Sequence, residues 1–331
     1  MKVLFVARSG NHPATRYRII QYLDCLKNSD VHSELVDYPK GIWGWLKLLK
    51  KSHNFDIAFF QKKRVPSSWL KRLKIKGLKL IYDFDDAVMF NSSRHPDPES
   101  PLRMKHFIEM VKNCDSIIAG NSYLKSLAEP YHKRVWVIPT TIDTSKYPVK
   151  SYSQYSDSSI ILGWIGGGKS LVFLKSLEPV LERLAKRHKN IQLKIVCNEF
   201  FDSANINIIK KQWSENDEIN DILSFDIGLA PLPDDPWSRG KCATKLLQYM
   251  ASGITAVASA VGVHNDIIKD GINGFLASND DEWFDKLNKL IEDKTLREKS
   301  GTAARETVEK SYSVRTNAPK LADILKTVKN L

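Results

Sequence analysis

Four stretches of this chain bring together residue types that do chemistry. Gly163-Trp164-Ile165-Gly166-Gly167-Gly168-Lys169-Ser170 offers glycine backbone that an anion can approach closely, with a full positive charge at Lys169. The string formally fits the phosphate-loop pattern GxxxxGK[ST]. Nucleotide hydrolysis would also need an acid at the end of a neighbouring strand, and a tight strand-to-helix turn is the plainer alternative. The second stretch runs from Pro231 to Gly253, where a loop rich in Pro and Asp leads into an expected helix over 241–252. Lys241, Ala243, Thr244 and Lys245 at its start suit a diphosphate, and Gln248, a turn later, is within reach of a ribose hydroxyl. A plain amphipathic helix would account for Leu246, Leu247 and Met250 but not for the polar loop. In Tyr82-Asp83-Phe84-Asp85-Asp86, carboxylates follow the apolar run LKLI; Asp85 and Asp86 are candidates to accept from ligand hydroxyls or to stabilise positive charge developing in a transition state. A metal held between them and a structural cap are the alternatives. His95, in the loop that follows, is a candidate ligand contact. The fourth stretch is Ser9-Gly10-Asn11 through Arg18, in which the Arg16 guanidinium can fork onto phosphate oxygens.

Residues of this kind act only where a scaffold places them. VLFVA, FDIAFFQ, LKLIYDF, DSIIAGN and RVWVIPT read as buried strands, separated by a helix over 15–26 and by further helical or basic segments. Alternating strands and helices imply a parallel sheet covered on both faces. The polar text of 144–159 reads as an interdomain linker, after which the alternation restarts with SIILGWIG, IQLKIVC, DIGLAPL and ITAVAS. Helices are expected over 170–188, near 203–214, and over 241–252, 281–293 and 295–311. The chain is thus expected to be α/β, with two doubly wound Rossmann-like domains at 1–150 and 151–311 facing across a cleft, and a C-terminal helix in 312–331 returning to the first. Ligands bind beyond the carboxyl ends of such strands, where all four stretches fall.

The bulk composition narrows the function. A chain of 331 residues, 42% hydrophobic, is of a size for two packed domains. No apolar run reaches membrane-spanning length, and Arg8 interrupts the first one too early for a signal peptide, so a cytoplasmic protein is expected. Cys25, Cys114, Cys197 and Cys242 lie far apart, which argues against both a disulfide framework and a zinc site. The net charge of +12 is confined to the first half: residues 1–150 hold 26 Lys+Arg against 14 Asp+Glu, and the remainder holds 24 of each. Residues 40–79 alone carry twelve basic residues and one acid, Asp56, together with Trp43, Trp45 and Trp69. That composition suits an anionic membrane surface, on the inner face of the cytoplasmic membrane, with ordinary packing helices as the alternative. Nucleic-acid binding would explain the charge but not the loops of the second half.

The string KLLQYMASGITAVASAVGVHNDIIKDGINGFL resembles the donor-binding segment of glycosyltransferase family 4, and IAGNSYL and VIPTTID resemble two further motifs of that family. The similarity covers nearly the whole chain and is most diagnostic over 231–276. It implies a GT-B fold and a retaining glycosyltransferase. The implied co-substrate is a UDP-, GDP- or dTDP-sugar, with a saccharide or lipid-linked acceptor of bacterial surface polysaccharide or glycolipid and no required metal. By the same resemblance Lys169 would serve catalysis; the residue reading adds Lys245, and places Asp85 and Asp86 at acceptor hydroxyls or a cationic sugar, with His95 near the acceptor. Gly166, Gly167, Gly168, Lys241, Ala243, Thr244 and Gln248 would hold the donor, and the loop carrying Gly10 and Arg16 would close over phosphate and acceptor. Two departures stand out: the family's paired glutamates fall at Gly240 and Gln248, and of its usual Gly-Arg and Lys-Gly only Lys169 carries over. A silent sugar-nucleotide-binding subunit and a sugar-nucleotide epimerase are the alternative functions.

Overall fold

The computed structural model describes residues 1–8, 10, 12–152 and 159–331; Ser9, Asn11 and the 153–158 part of the expected linker lie outside the described residues. The chain forms two units, the first made of Met1–Thr141, Asp235–Cys242 and Val314–Leu331, the second of Ile142–Asp234 and Ala243–Ser313.

In the first unit, β1 (Lys2–Ala7), β2 (His32–Asp37), β3 (Ile57–Gln61), β4 (Lys79–Phe84), β5 (Ser116–Ala119) and β6 (Val135–Val137) form one sheet in the order β2-β1-β3-β4-β5-β6. All pairs are parallel. Central strands such as IAFFQ are buried along their whole length, because helices cover both faces and leave no solvent side. On one face Leu4, Phe60, Tyr82 and Phe84 pack with Leu70, Phe107 and Met110. On the other, Val3, Phe5, Phe59 and Ile81 meet Ile19 and Tyr22, together with Ala318, Leu321, Leu325 and Val328 from the last helix, Val314–Lys329.

The second unit repeats the plan with β7 (Ile160–Ile165), β8 (Ile191–Cys197), β9 (Asn207–Gln212), β10 (Ile227–Ala230), β11 (Ala256–Ser259) and β12 (Phe275–Ala277), in the order β12-β11-β10-β7-β8-β9. Gly163 lies inside β7, and a methyl group there would collide with the Phe225 ring. It is a packing glycine rather than the first turn of a phosphate loop, so the GxxxxGK[ST] match is formal only.

Several expected elements differ. The helix expected near 203–214 is the edge strand β9, whose NIIKKQ is rich in β-branched residues and half exposed. The expected helix over 170–188 is divided into Leu171–Lys175 and Glu178–Arg187, since Pro179 suits only the first turn of a new helix. The stretch 15–26 is likewise three short pieces, Pro13–Arg18, Ile20–Tyr22 and Leu23–Lys27. The helix expected from 241 begins at Thr244, because Ala243 sits at φ 55° and breaks the helical path before it. Lys241 therefore precedes the helix, and the whole 235–242 segment, read from sequence as part of the second domain, packs within the first unit.

Candidate functional site

Two clusters gather at the carboxyl ends of the strands, one in each unit. In the first, Lys62 follows β3 at φ 64°, a costly backbone for a residue with a Cβ. Its amide donates to the Asp83 carbonyl (2.6 Å) and its ammonium reaches Asp86, with Asp85 Oδ1 3.4 Å away. The ammonium of Lys241 donates to the other Asp86 oxygen at 2.8 Å and lies 3.5 Å from the centre of the Trp237 ring. Burial would raise the Asp86 carboxyl, but Lys241 and Lys62 hold it below the ordinary aspartate value. The charged segment is anchored at both ends: Asn121 Nδ2 donates to the Lys241 carbonyl (3.0 Å), and Ser93 and Ser238 share a hydroxyl contact at 2.9 Å. At Gly240 a methyl group would stand 2.6 Å from Ala87 Cβ and 2.8 Å from its nitrogen. The packing of the first unit thus leaves no room for a glutamate at this position.

Asp83, one strand residue earlier, has a different task. It is buried against Arg18, whose Nε donates to Oδ2 at 3.2 Å and whose third nitrogen donates to the Ile138 carbonyl at 2.5 Å. Of the three aspartates, only Asp85 and Asp86 reach the open end of the sheet. His12, not singled out in the sequence, caps the helix Pro13–Arg18 and lies near this cluster; burial, then Arg8 and Lys62, lower its pKa. Arg16, in the helix Pro13–Arg18, is half-buried with its guanidinium 5.5 Å from the Tyr17 ring centre, and Gly10 lies in the turn before that helix. His95 is exposed in a turn, its Nδ1 2.7 Å from the Asp97 carbonyl.

In the second unit, Gly166, Gly167 and Gly168 follow β7 as expected. A methyl group at Gly166 would lie 2.7 Å from the Trp164 ring and 3.0 Å from Lys245 Nζ, which stands 4.2 Å from the centre of that ring. Lys245, from the first turn of Thr244–Ala251, is thus laid between the Trp164 face and the glycine loop, a placement that only the absent side chain at Gly166 permits. Lys169 is exposed and Thr244 half-buried, whereas Ala243 is buried. Gln248 is 5% exposed and its amide donates to Tyr147 Oη at 3.2 Å, so the amide expected at a ribose is engaged inside the unit. His264, missed in the sequence, is buried beside Ser259, whose carbonyl accepts from Nδ1 at 3.0 Å; burial, with Lys245 nearby, lowers its pKa to about 4. It stays neutral and leaves Nε2 as an acceptor. Among the described residues no group of three or more His, Cys, Asp or Glu could hold a metal.

Residues 236–307 match the family model for glycosyl transferases group 1. No curated protein is significantly similar in sequence. Among solved structures, Anabaena HepE in complex with UDP and glucose superposes with a TM-score of 0.73 at 16% identity, over 99% of this chain and 100% of the other. Sucrose-phosphate synthase from Thermosynechococcus elongatus gives 0.75 at 11% identity, over 99% and 98%. A glycosyltransferase from Rickettsia africae gives 0.69 at 16%, over 99% and 98%. The fold is that of GT-B glycosyltransferases, built from two parallel six-stranded α/β units.

Proposed function

We propose that this chain transfers a sugar from a nucleotide-sugar donor to a saccharide or lipid-linked acceptor, with retention of anomeric configuration. The observation that carries the reading is the Lys245 ammonium, from the segment that matches the glycosyl transferases, laid between Trp164 and the Gly166 backbone. An ammonium there, with Lys169 on the same loop, is suited to the charge that builds on a departing nucleoside diphosphate. Arg16 and the loop at Gly10 are the further phosphate contacts of this reading. In the first unit Asp85 and Asp86 take acceptor hydroxyls, with His95 at the margin. HepE has been crystallised with UDP and with UDP-glucose, which makes a UDP-sugar the donor to test first.

The acceptor is expected at a membrane surface on the cytoplasmic side. Within the first unit the helix Gly41–Ser52 leaves Ile42 63% and Trp43 81% exposed, and Ile75 at the end of Ser67–Ile75 is 82% exposed, among the lysines of residues 40–79. Trp45 and Trp69 stack at 5.6 Å and hold the two helices together. Apolar groups ringed by lysines suit insertion at an anionic interface. Among the described residues no helix is long and apolar enough to cross a membrane.

Calorimetric titration with UDP, GDP and dTDP tests the donor reading, and release of UDP from UDP-glucose in the presence of membrane extract tests transfer. Binding without release would favour a sugar-nucleotide-binding subunit, the reading that Gly240 in place of a carboxylate supports. If none of the three diphosphates binds, the donor site is misassigned.

A further inference from the structure

The glycine loop after β7 meets opposite charges at its two ends. Gly166 lies against Lys245 Nζ, whereas a methyl group at Gly168 would run into the carboxylate of Glu199. Glu199 comes just past β8, the strand paired directly beside β7 with Ile165 opposite Val196. It is exposed, and among the described residues its carboxylate has no hydrogen-bond or ion-pair partner. A carboxylate only accepts hydrogen bonds, and so does a diphosphate, so the two repel. The phosphates of a bound nucleotide belong at the Gly166 end, and what Glu199 can hold is a neutral, donor-rich group. Two residues of chain separate the ends by at most about 7 Å, comparable with the span from a ribose diol to its 5′-diphosphate. In parallel sheets whose first strand ends in a glycine loop, an acid at the end of the neighbouring strand commonly takes the ribose hydroxyls. The residue expected for that task, Gln248, is buried with its amide on Tyr147.

We propose that Glu199 binds the ribose diol of the nucleoside diphosphate and so makes this chain select ribo- over 2′-deoxyribonucleotides. The inference rests on the donor reading above and narrows it, removing dTDP-sugars from the candidates.

The test is calorimetry on the full chain at fixed ionic strength, comparing UDP with 2′-deoxy-UDP, GDP with 2′-deoxy-GDP, UDP-glucose, and inorganic pyrophosphate. Wild-type protein and Glu199→Gln are measured side by side, with thermal unfolding as the check on folding. The ribonucleotide should bind roughly tenfold or more tighter than its 2′-deoxy form, and Glu199→Gln should abolish that gap while leaving pyrophosphate as tight or tighter. Equal affinity for ribo and deoxy forms overturns the proposal alone. So does a Glu199→Gln variant that binds UDP more tightly, which would mean the carboxylate merely repels phosphate. Weakened UDP-glucose binding with unchanged UDP would assign Glu199 to the donor sugar and overturn the ribose assignment. Failure of every nucleotide to bind overturns the donor reading and this proposal with it.

Discussion

Replacing His264 by Gln tests whether the imidazole inside the second unit is held neutral. His264 is 2% exposed, its Nδ1–H is committed to the Ser259 carbonyl, and burial aided by Lys245 lowers its pKa from 6.5 to about 4. Between those two values the unfolded chain takes up a proton that the folded chain refuses. Stability must therefore rise with pH across this window: the contribution is fully present above pH 6.5 and is lost as pH falls toward 4. Each unit of displacement corresponds to about 1.4 kcal/mol, so the loss between pH 7 and pH 4 amounts to about 3 kcal/mol from this residue. A glutamine can donate its amide to the same carbonyl without titrating. Urea unfolding followed by tryptophan fluorescence from pH 4 to 7.5 should show a pH slope for the wild type that exceeds the slope for His264→Gln by about that amount. Other titrating groups are common to both proteins and cancel in the difference. Identical slopes, or an imidazole NMR titration in the folded protein with its midpoint near 6.5, would refute the reasoning.

Three further outcomes are expected. Lys169→Ala and Lys245→Ala should each lower turnover by about two orders of magnitude or more, about 2–4 kcal/mol of transition-state stabilisation, and unchanged kcat in both would remove these lysines from the proposed chemistry. Asp83→Asn, which strands the buried Arg18 guanidinium, should cost about 3–5 kcal/mol in chemical denaturation, whereas Asp86→Asn, whose partners are partly exposed, should cost about 1 kcal/mol. Comparable losses would contradict the division of roles among the three aspartates. Changing Lys47, Lys50, Lys51, Lys71 and Arg72 together to Glu should abolish salt-sensitive sedimentation with anionic vesicles and leave nucleotide affinity intact; a wild type that ignores such vesicles at low salt would sink the membrane reading.

How far the fold could be read from the sequence follows from where burial is complete. IAFFQ, KLIYDF, IILGWI and AVAS are central parallel strands, covered on both faces, and their largely apolar text reports that directly. The edge strand β9 carries mixed burial, and NIIKKQ has no such signature, so it reads as helix. The short edge strand β12 escaped notice for the same reason of position. The glycine loop was legible because its composition is local. Its distant partners were not: Glu199 reaches Gly168 only through the parallel pairing of β7 with β8, and Lys245 reaches Gly166 from a helix far along the chain, so nothing in their immediate text marks them. Lys241 shows the opposite error. Its adjacency to Thr244 suggests a shared helix, but Ala243 in the left-handed region turns the chain, and the Asp86 carboxylate claims the lysine.

Where an anion settles depends less on how many cations a surface holds than on which of them are already neutralised. In the first unit Arg18 is committed to Asp83, and Lys62 and Lys241 share Asp86, so a phosphate drawn to any of them must first displace a carboxylate already in contact. Asp85, by contrast, has an oxygen that accepts no hydrogen bond among the described residues, only the longer 3.4 Å pairing with Lys62. That buried oxygen has lone pairs to spare, which suit a hydroxyl donor and not a phosphate. In the second unit the ammonium of Lys245 lies over an indole face, and Lys169 forms no ion pair among the described residues. The proposed reading accordingly puts the diphosphate in the second unit and an acceptor hydroxyl at Asp85, although the first half carries all of the net positive charge. For the basic residues of 40–79 that form no ion pair with this chain's own acids, the proposed membrane reading supplies an extended anionic surface.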